Sequence, residues 1–206
     1  MKKVTLFTLI GISILLIASC AKVYYSPDAV TLADSHKVIA ILPPSVSIAA
    51  AKKTDPEAIK EQQKTESLNF QNEMYSWMLK RKMQGRMTQE IQDIESTNAK
   101  LKRAGYPDTL FTPVEMCEIL GVDGVLASNY SLSKPMSDGA AVAMIILGGV
   151  GSTNEVSVTL NINDCLNKKL IWNYSHKYSG GIGSSPANLV DGLMRNASKK
   201  MPYMKP

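Results

Sequence analysis

Apolar positions along this 206-residue chain fall into runs of two periods, and the changes of period mark its elements. "VIAIL", Val38–Leu42, is unbroken apolar and closed by Pro43 and Pro44, which is the pattern of a strand buried on both faces. Asp55 before Pro56 is a helix start, cap then first-turn proline. The helix is predicted to run through "ESLNFQNEMYSWMLKRKMQ", where Phe70, Met74, Trp77 and Met78 share one face. Gly85 breaks it. Met87, Gln89 and Ile91 then alternate as in a short strand, although Met87, Ile91, Ile94 and Leu101 also fit a helical spacing; a strand followed by a helix from about Asp93 is the reading adopted. In "FTPVEMCEILG", Thr112 and Glu115 form a capping box around Pro113, Phe111 and Met116 can staple across it, and Gly121 ends the helix. A strand, "GVLASNYSLSK", follows at once.

Farther on, Val156, Val158, Leu160 and Ile162 alternate with Ser157, Thr159 and Asn161. Leu170, Trp172, Tyr174 and Tyr178 share a face of the next strand, across a turn-rich "NDCLNKK". Two period-2 runs around such a turn make a β-hairpin. Ser185 and Pro186 open a last helix with Leu189, Leu193 and Ala197 on one face. The order β-α-β-α-α-β-β-β-α predicts an α/β sandwich of two or three layers, with a mixed central sheet of about five strands. One such domain is expected over residues 37–200. Residues 20–36 read as tether and lead-in, and 201–206 as a tail.

The start of the chain bears on location. Lys2 and Lys3 precede the apolar run "VTLFTLIGISILLIA" and then "IASC", ending at Cys20. A charged start, a short apolar core and small residues before the cut describe a signal peptide, residues 1–19, rather than a membrane span. "IASC" looks like a bacterial lipobox, in which Cys20 becomes a lipidated N-terminus. Acyl chains would anchor the mature protein to a membrane without crossing it. The absence of Asp after Cys20 in "CAKVY" favours an outer-membrane destination facing the periplasm under the usual sorting pattern. Losing Lys2 and Lys3 takes the basic count from 23 to 21 against 18 acids, a formal charge of +3 instead of +5. That mild excess is not the footprint of a nucleic-acid binder. Only Cys117 and Cys165 remain besides Cys20. Without framework spacing they are expected to be buried thiols rather than a disulfide.

Catalytic signatures are weak. Asp34, Ser35 and His36 are consecutive in "DSHK", whereas a triad needs its base between nucleophile and orienter in space, so the segment reads as a polar lead-in. His176 has one other histidine in the chain and no acidic cluster beside it, which speaks against a metal. "GGIGSSP" lacks the Walker lysine and the dinucleotide spacing, leaving a hairpin exit and a capped helix. Lys80, Arg81, Lys82 and Arg86 fit the C-terminal end of a helix dipole. No cofactor is implied.

The early "VIAILPP" strand, the "CEILGVDGVLASNYSL" helix-to-strand unit, the hairpin leading into "LIWNYS" and the terminal helix resemble a group of envelope lipoproteins. The group comprises the curli secretion channel family, the penicillin-binding-protein activator LpoB, the N-terminal domain of TolB and small lipoproteins of unassigned role. The resemblance spans about residues 36–200 and rests on fold signatures. It implies a non-enzymatic part in envelope assembly, secretion or transport, through an envelope protein partner or homo-oligomer. A subunit of an outer-membrane secretion pore and a periplasmic hydrolase are the alternatives.

"SDGAAVAMIILGGVGS" carries no charge between Asp138 and Ser152. As a helix, Ala140–Val150 would span about 17 Å, short of the ~30 Å hydrocarbon core. It connects two complete strands, and an apolar surface connection marks an interface. Val142, Met144, Ile145, Ile146 and Leu147 are therefore the expected contact surface, toward another copy, a partner protein or the bilayer surface, with folding back on the domain's own sheet and pore lining as the alternatives.

Overall fold

Two adjacent prolines organise the sheet. The computed structural model describes residues 21–49, 55–133, 155–179 and 185–205; Cys20 and the expected contact residues Val142, Met144, Ile145, Ile146 and Leu147 lie outside them. Strand β2 (Val38–Ile41) ends before Pro43 and Pro44, and β3 (Ser45–Ile48) begins directly after them. Both lie parallel along the same long strand, β5 (Gly124–Leu132). Ile41 pairs with Leu126 and Ser45 with Asn129, so one extra residue is absorbed across the break. Prolines donate no ladder hydrogen bond, which is why one strand becomes two here.

The remaining elements are β1 (Lys22–Tyr25), α1 (Ala29–Ser35), α2 (Pro56–Met83), β4 (Glu90–Ile91), α3 (Ile94–Arg103), α4 (Pro113–Leu120), β6 (Glu155–Asp164), β7 (Lys169–Ser179) and α5 (Pro186–Ala197). A 3₁₀ turn, Ser198–Lys200, follows. The sheet runs β1-β7-β6-β5-β2-β4, with β3 also on β5. The pairings of β2 and β3 are parallel; β5, β6, β7 and β1 pair antiparallel. This is the mixed α/β sandwich that the sequence predicts.

Local chemistry sets the helix starts. The side chains of Asp55, Asp93 and Ser185 accept from Glu57, Ser96 and Asn188 backbone N–H groups, and Thr112 with Glu115 closes a reciprocal capping box. Gly121 stops α4 in the left-handed conformation, at φ 66°.

Residues alternate between two cores. Ile39 and Ile41 point to one, with Leu126, Tyr130, Leu160, Trp172 and Tyr174 of the sheet, under Phe70, Met74, Met78, Leu189 and Leu193 of α2 and α5. Phe70 stacks on Tyr130 with ring centroids 4.1 Å apart. Ala40, Leu42 and Val125 point the other way, against Leu101, Met116 and Leu120 of α3 and α4. That second layer covers the parallel part of the sheet, so the molecule has three layers there and two elsewhere.

Four expectations change. The stretch read as tether contains β1, which pairs with β7 through Val23 and Tyr174, and α1, whose Ala29 and Ala33 are buried. Each is too short to show a period, and each is held by its neighbours. The expected tail holds Met201 and Tyr203, both buried. Cys117 and Cys165 form a disulfide with Cα atoms 5.5 Å apart. Their meeting is tertiary: the Gly124–Asp164 pairing and a Cys165 N–H to Asp123 O bond of 3.0 Å bring the hairpin turn beside α4. Leu170 also departs from its expected face. A register shift at Ile162/Asn163 leaves it exposed and buries Ile171 beside Trp172.

Candidate functional site

Three places in the fold hold chemistry that packing alone does not need. The first is a buried polar centre. His36 follows α1, and its ring sits where the start of β5, the end of β6 and the end of the chain converge. Nε2 lies 2.7 Å from Asp164 Oδ1 and Nδ1 lies 2.7 Å from the Tyr203 hydroxyl. With the proton of Nε2 directed at the carboxylate, Nδ1 accepts from the Tyr203 O–H, and both ring nitrogens are satisfied. Asp164 Oδ2 in turn accepts from the backbone and side chain of Asn167. Burial pushes the Asp164 carboxyl up, but the hydrogen bonds from His36 and Asn167 outweigh it and hold the group below its ordinary range. Burial, with the charges of Asp164 and Asp123, drives the Tyr203 hydroxyl well above the usual phenol range.

Gly124 is what lets this centre close. A Cβ there would stand 2.5 Å from His36 Nδ1 and 2.6 Å from the Tyr203 hydroxyl. The carboxylate of Asp123 accepts from the Lys37 and Val38 N–H groups at 2.8 Å each, tying the start of β2 to the start of β5. His36, Asp164 and Tyr203 are 5%, 2% and 2% exposed. No substrate reaches a base so enclosed, and Ser35, next in sequence, bonds the Leu32 carbonyl instead. The centre is a clasp that joins N-terminal, hairpin and C-terminal segments.

The second place is a sheet face that no described helix covers. Opposite the α2/α5 side, β5, β6 and β7 present Asn129, Ser131, Ser157, Thr159, Asn161, Asn173, Ser175 and, at one end, Lys177, none of them buried. Asn173 donates to Asn161 Oδ1 at 2.6 Å, and the Thr159 and Ser175 hydroxyls lie 3.4 Å apart. These are cross-strand pairs whose side chains have room for further hydrogen bonds. Tyr24 of β1 borders the face and is half exposed.

The third is a cleft at the end of α2, lined by Trp77, Arg81, Arg86, Lys199 and Lys205. Of these the sequence reading singled out Arg81 and Arg86, as helix-end charges.

His176 is on the covered face between Tyr174 and Tyr178, with ring centroids at 6.2 and 4.3 Å. Burial and the nearby Lys200 charge lower its pKa. Among the described residues no three His, Cys, Asp or Glu side chains group as metal ligands. Asp164, Tyr203, Lys199 and Lys205 were not anticipated from the sequence, since each acquires its partners from distant segments.

No family model matches the chain, and no curated protein matches it in sequence. Solved structures similar to it include the PelC dodecamer from Paraburkholderia phytofirmans, at 13% identity over 91% of this chain and 99% of that one, with a TM-score of 0.42. The lipoprotein GNA1162 from Neisseria meningitidis is 16% identical over 80% and 96%, TM-score 0.45. The C-terminal domain of LpoB from Escherichia coli is 14% identical over 69% and 82%, TM-score 0.34. At such identities and scores neither activity nor assembly transfers.

Proposed function

We propose that this chain is a lipid-anchored protein of the bacterial envelope, attached through Cys20 to the outer membrane on its periplasmic side, and that it acts without catalysis through protein contacts in envelope assembly, secretion or transport. The observation that carries this reading is the face of β5, β6 and β7 that no described helix covers. Its seven small side chains from Asn129 to Ser175 are uncharged, with Lys177 at the rim across from Ser157, and an uncharged centre with a charged rim is the compositional mark of an interface. Serine, threonine and asparagine suit a wet contact in which water bridges part of the hydrogen bonding. A partner protein or a second copy of the chain would complete the third layer that α3 and α4 supply only over the parallel strands.

Two further features agree. A disulfide between Cys117 and Cys165 suits an oxidising compartment such as the periplasm. The signal and lipobox pattern "IASC" gives the route there. The pore alternative draws no support from the hairpin, because the apolar face of β6 and β7 already lies under α2 and α5 and is not free to meet lipid.

A photo-crosslinking residue at Thr159 or Ser175, expressed in the native envelope, is expected to give a discrete adduct. The same residue at Lys64, exposed on α2, should give none. Equal or absent adducts at all three positions would remove the sheet face from the proposal. The anchor has its own check. Cys20→Ala should leave a form that no longer partitions with membranes, and unchanged membrane retention would end the lipidation reading.

A further inference from the structure

Beyond α2 the chain turns at Gly85, and the Arg86 carbonyl accepts the Lys205 N–H at 2.9 Å. This bond draws the end of the chain against the end of the helix and leaves an open cleft of about 290 Å³ between them. Four cationic side chains line it: Arg81 and Arg86 from one segment, Lys199 and Lys205 from the other. A helix end explains only part of that charge, since its dipole amounts to roughly half a negative charge. Lys82, also in its last turn, is occupied elsewhere, with Nζ bonded to the Thr88 and Gln89 carbonyls and 2.7 Å from Glu90 Oε1.

Among the described residues, no side-chain carboxylate forms an ion pair with the rest. Arg81 stacks over Trp77, 4.5 Å from the ring centroid, and gives one N–H to Gln84 Oε1 at 2.8 Å, leaving further guanidinium N–H groups for a ligand. Asp191 feels the Arg81 charge, but Arg195 Nε holds it first, at 2.7 Å. Among the described residues, Arg86, Lys199 and Lys205 have no ion-pair partner. A concave site with this excess of cations, walled by an aromatic ring, selects a multivalent anion.

We propose that the cleft binds a phosphate group. Guanidinium forks match phosphate oxygens bidentately, and lysine ammoniums add point charges at the rim. A lipid headgroup and a soluble phosphate ester both present this group. The strand beside the anchor bears on the first source, because the Tyr25 hydroxyl of β1 donates to the Lys200 carbonyl, next to Lys199. The site is distinct from the uncovered sheet face and stands or falls without it.

The chain contains its own reporter. Of its two tryptophans, Trp172 is fully buried in the sheet core and Trp77 lines the cleft. Inorganic phosphate added to the purified full chain in neutral detergent, at constant ionic strength against chloride, should change tryptophan emission saturably. Arg86→Glu with Lys205→Glu, both exposed side chains outside helices and strands, should weaken that response about tenfold or more, the scale of one lost charge-assisted contact. Trp77→Phe should abolish it. In a second arm the full chain is reconstituted in phosphatidylcholine vesicles with or without phosphatidylglycerol and without free phosphate. A change that appears with phosphatidylglycerol and not with phosphatidylcholine alone, whose phosphate is balanced by choline, assigns an anionic lipid phosphate, and a response confined to inorganic phosphate assigns a soluble one. Silence in both arms, or a response that survives the charge reversal, overturns the site.

Discussion

The two faces of strands β6 and β7 are made from the same residues in alternation and face opposite surroundings. On one, Leu160, Ile162, Trp172 and Tyr174 are at most 1% exposed under α2 and α5. On the other, Thr159, Asn161, Asn173 and Ser175 are only partly buried and lie on the side opposite the described helices α2 and α5. The first face gains by exclusion of water, so its energy depends on volume and fit. The second keeps its hydrogen-bonding capacity in contact with water, so changes there should hardly register in stability while altering what the surface can meet. The lesson is that stability and contact are separable here at a spacing of one residue.

Measurements can break that comparison. Trp172→Ala opens a cavity in the helix-covered core and is expected to cost about 3–5 kcal/mol in denaturant unfolding; wild-type stability would put the ring outside the core. Asp164→Ala removes the acceptor of His36 and Asn167, leaves a buried ring N–H unpaired and should cost about 3 kcal/mol, at the polar end of the same hairpin. The pH dependence separates it from simple packing. The Asp164 carboxyl is held below its ordinary value of 3.8 in the folded state, so its contribution is complete above that value and is lost as pH falls through the lower, folded value. Acid melting should therefore be steeper in the wild type than in Asp164→Ala, and parallel curves would deny the clasp its charge. Removing the disulfide by Cys117→Ala with Cys165→Ala, across a sequence separation of 48, should cost about 2–4 kcal/mol. No loss of stability would mean that the bridge adds nothing the Gly124–Asp164 pairing does not already fix. The smallest effect belongs to the uncovered face: Thr159→Ala should stay within about 0.5 kcal/mol of wild type. A larger loss would show that this face is folded against something in the isolated chain.

How much of this was readable from the sequence follows from where each signal resides. The long elements were readable because their periods repeat: Phe70, Met74, Trp77 and Met78 sit on one helical face, and Val156 to Ile162 alternate. Caps at Asp55, Asp93, Thr112 and Ser185 were readable because capping spans only three residues. β1 and β3 were not, because four residues carry no period of their own and each is a strand only by pairing with β7 or β5. His36 reads locally as part of a polar run. Its partners stand 128 and 167 residues away, so nothing adjacent marks it for burial. Likewise the cations of the cleft were visible only from the helix side, where the dipole accounts for them; Lys199 and Lys205 join them by a tertiary turn.

The position of β1 also sets the reach of the protein. A flexible tether over residues 20–36 would let the domain roam up to about 60 Å from the anchor point, at roughly 3.5 Å per residue. With Lys22 already paired to Ser175, a single residue, Ala21, would separate a lipidated Cys20 from the sheet edge, a leash of two Cα steps or about 7 Å. Anchored through Cys20 as proposed, such a domain would not sweep the space around it for a target. It would ride at nearly fixed height above the membrane, edge strand down, and meet only what came to that surface.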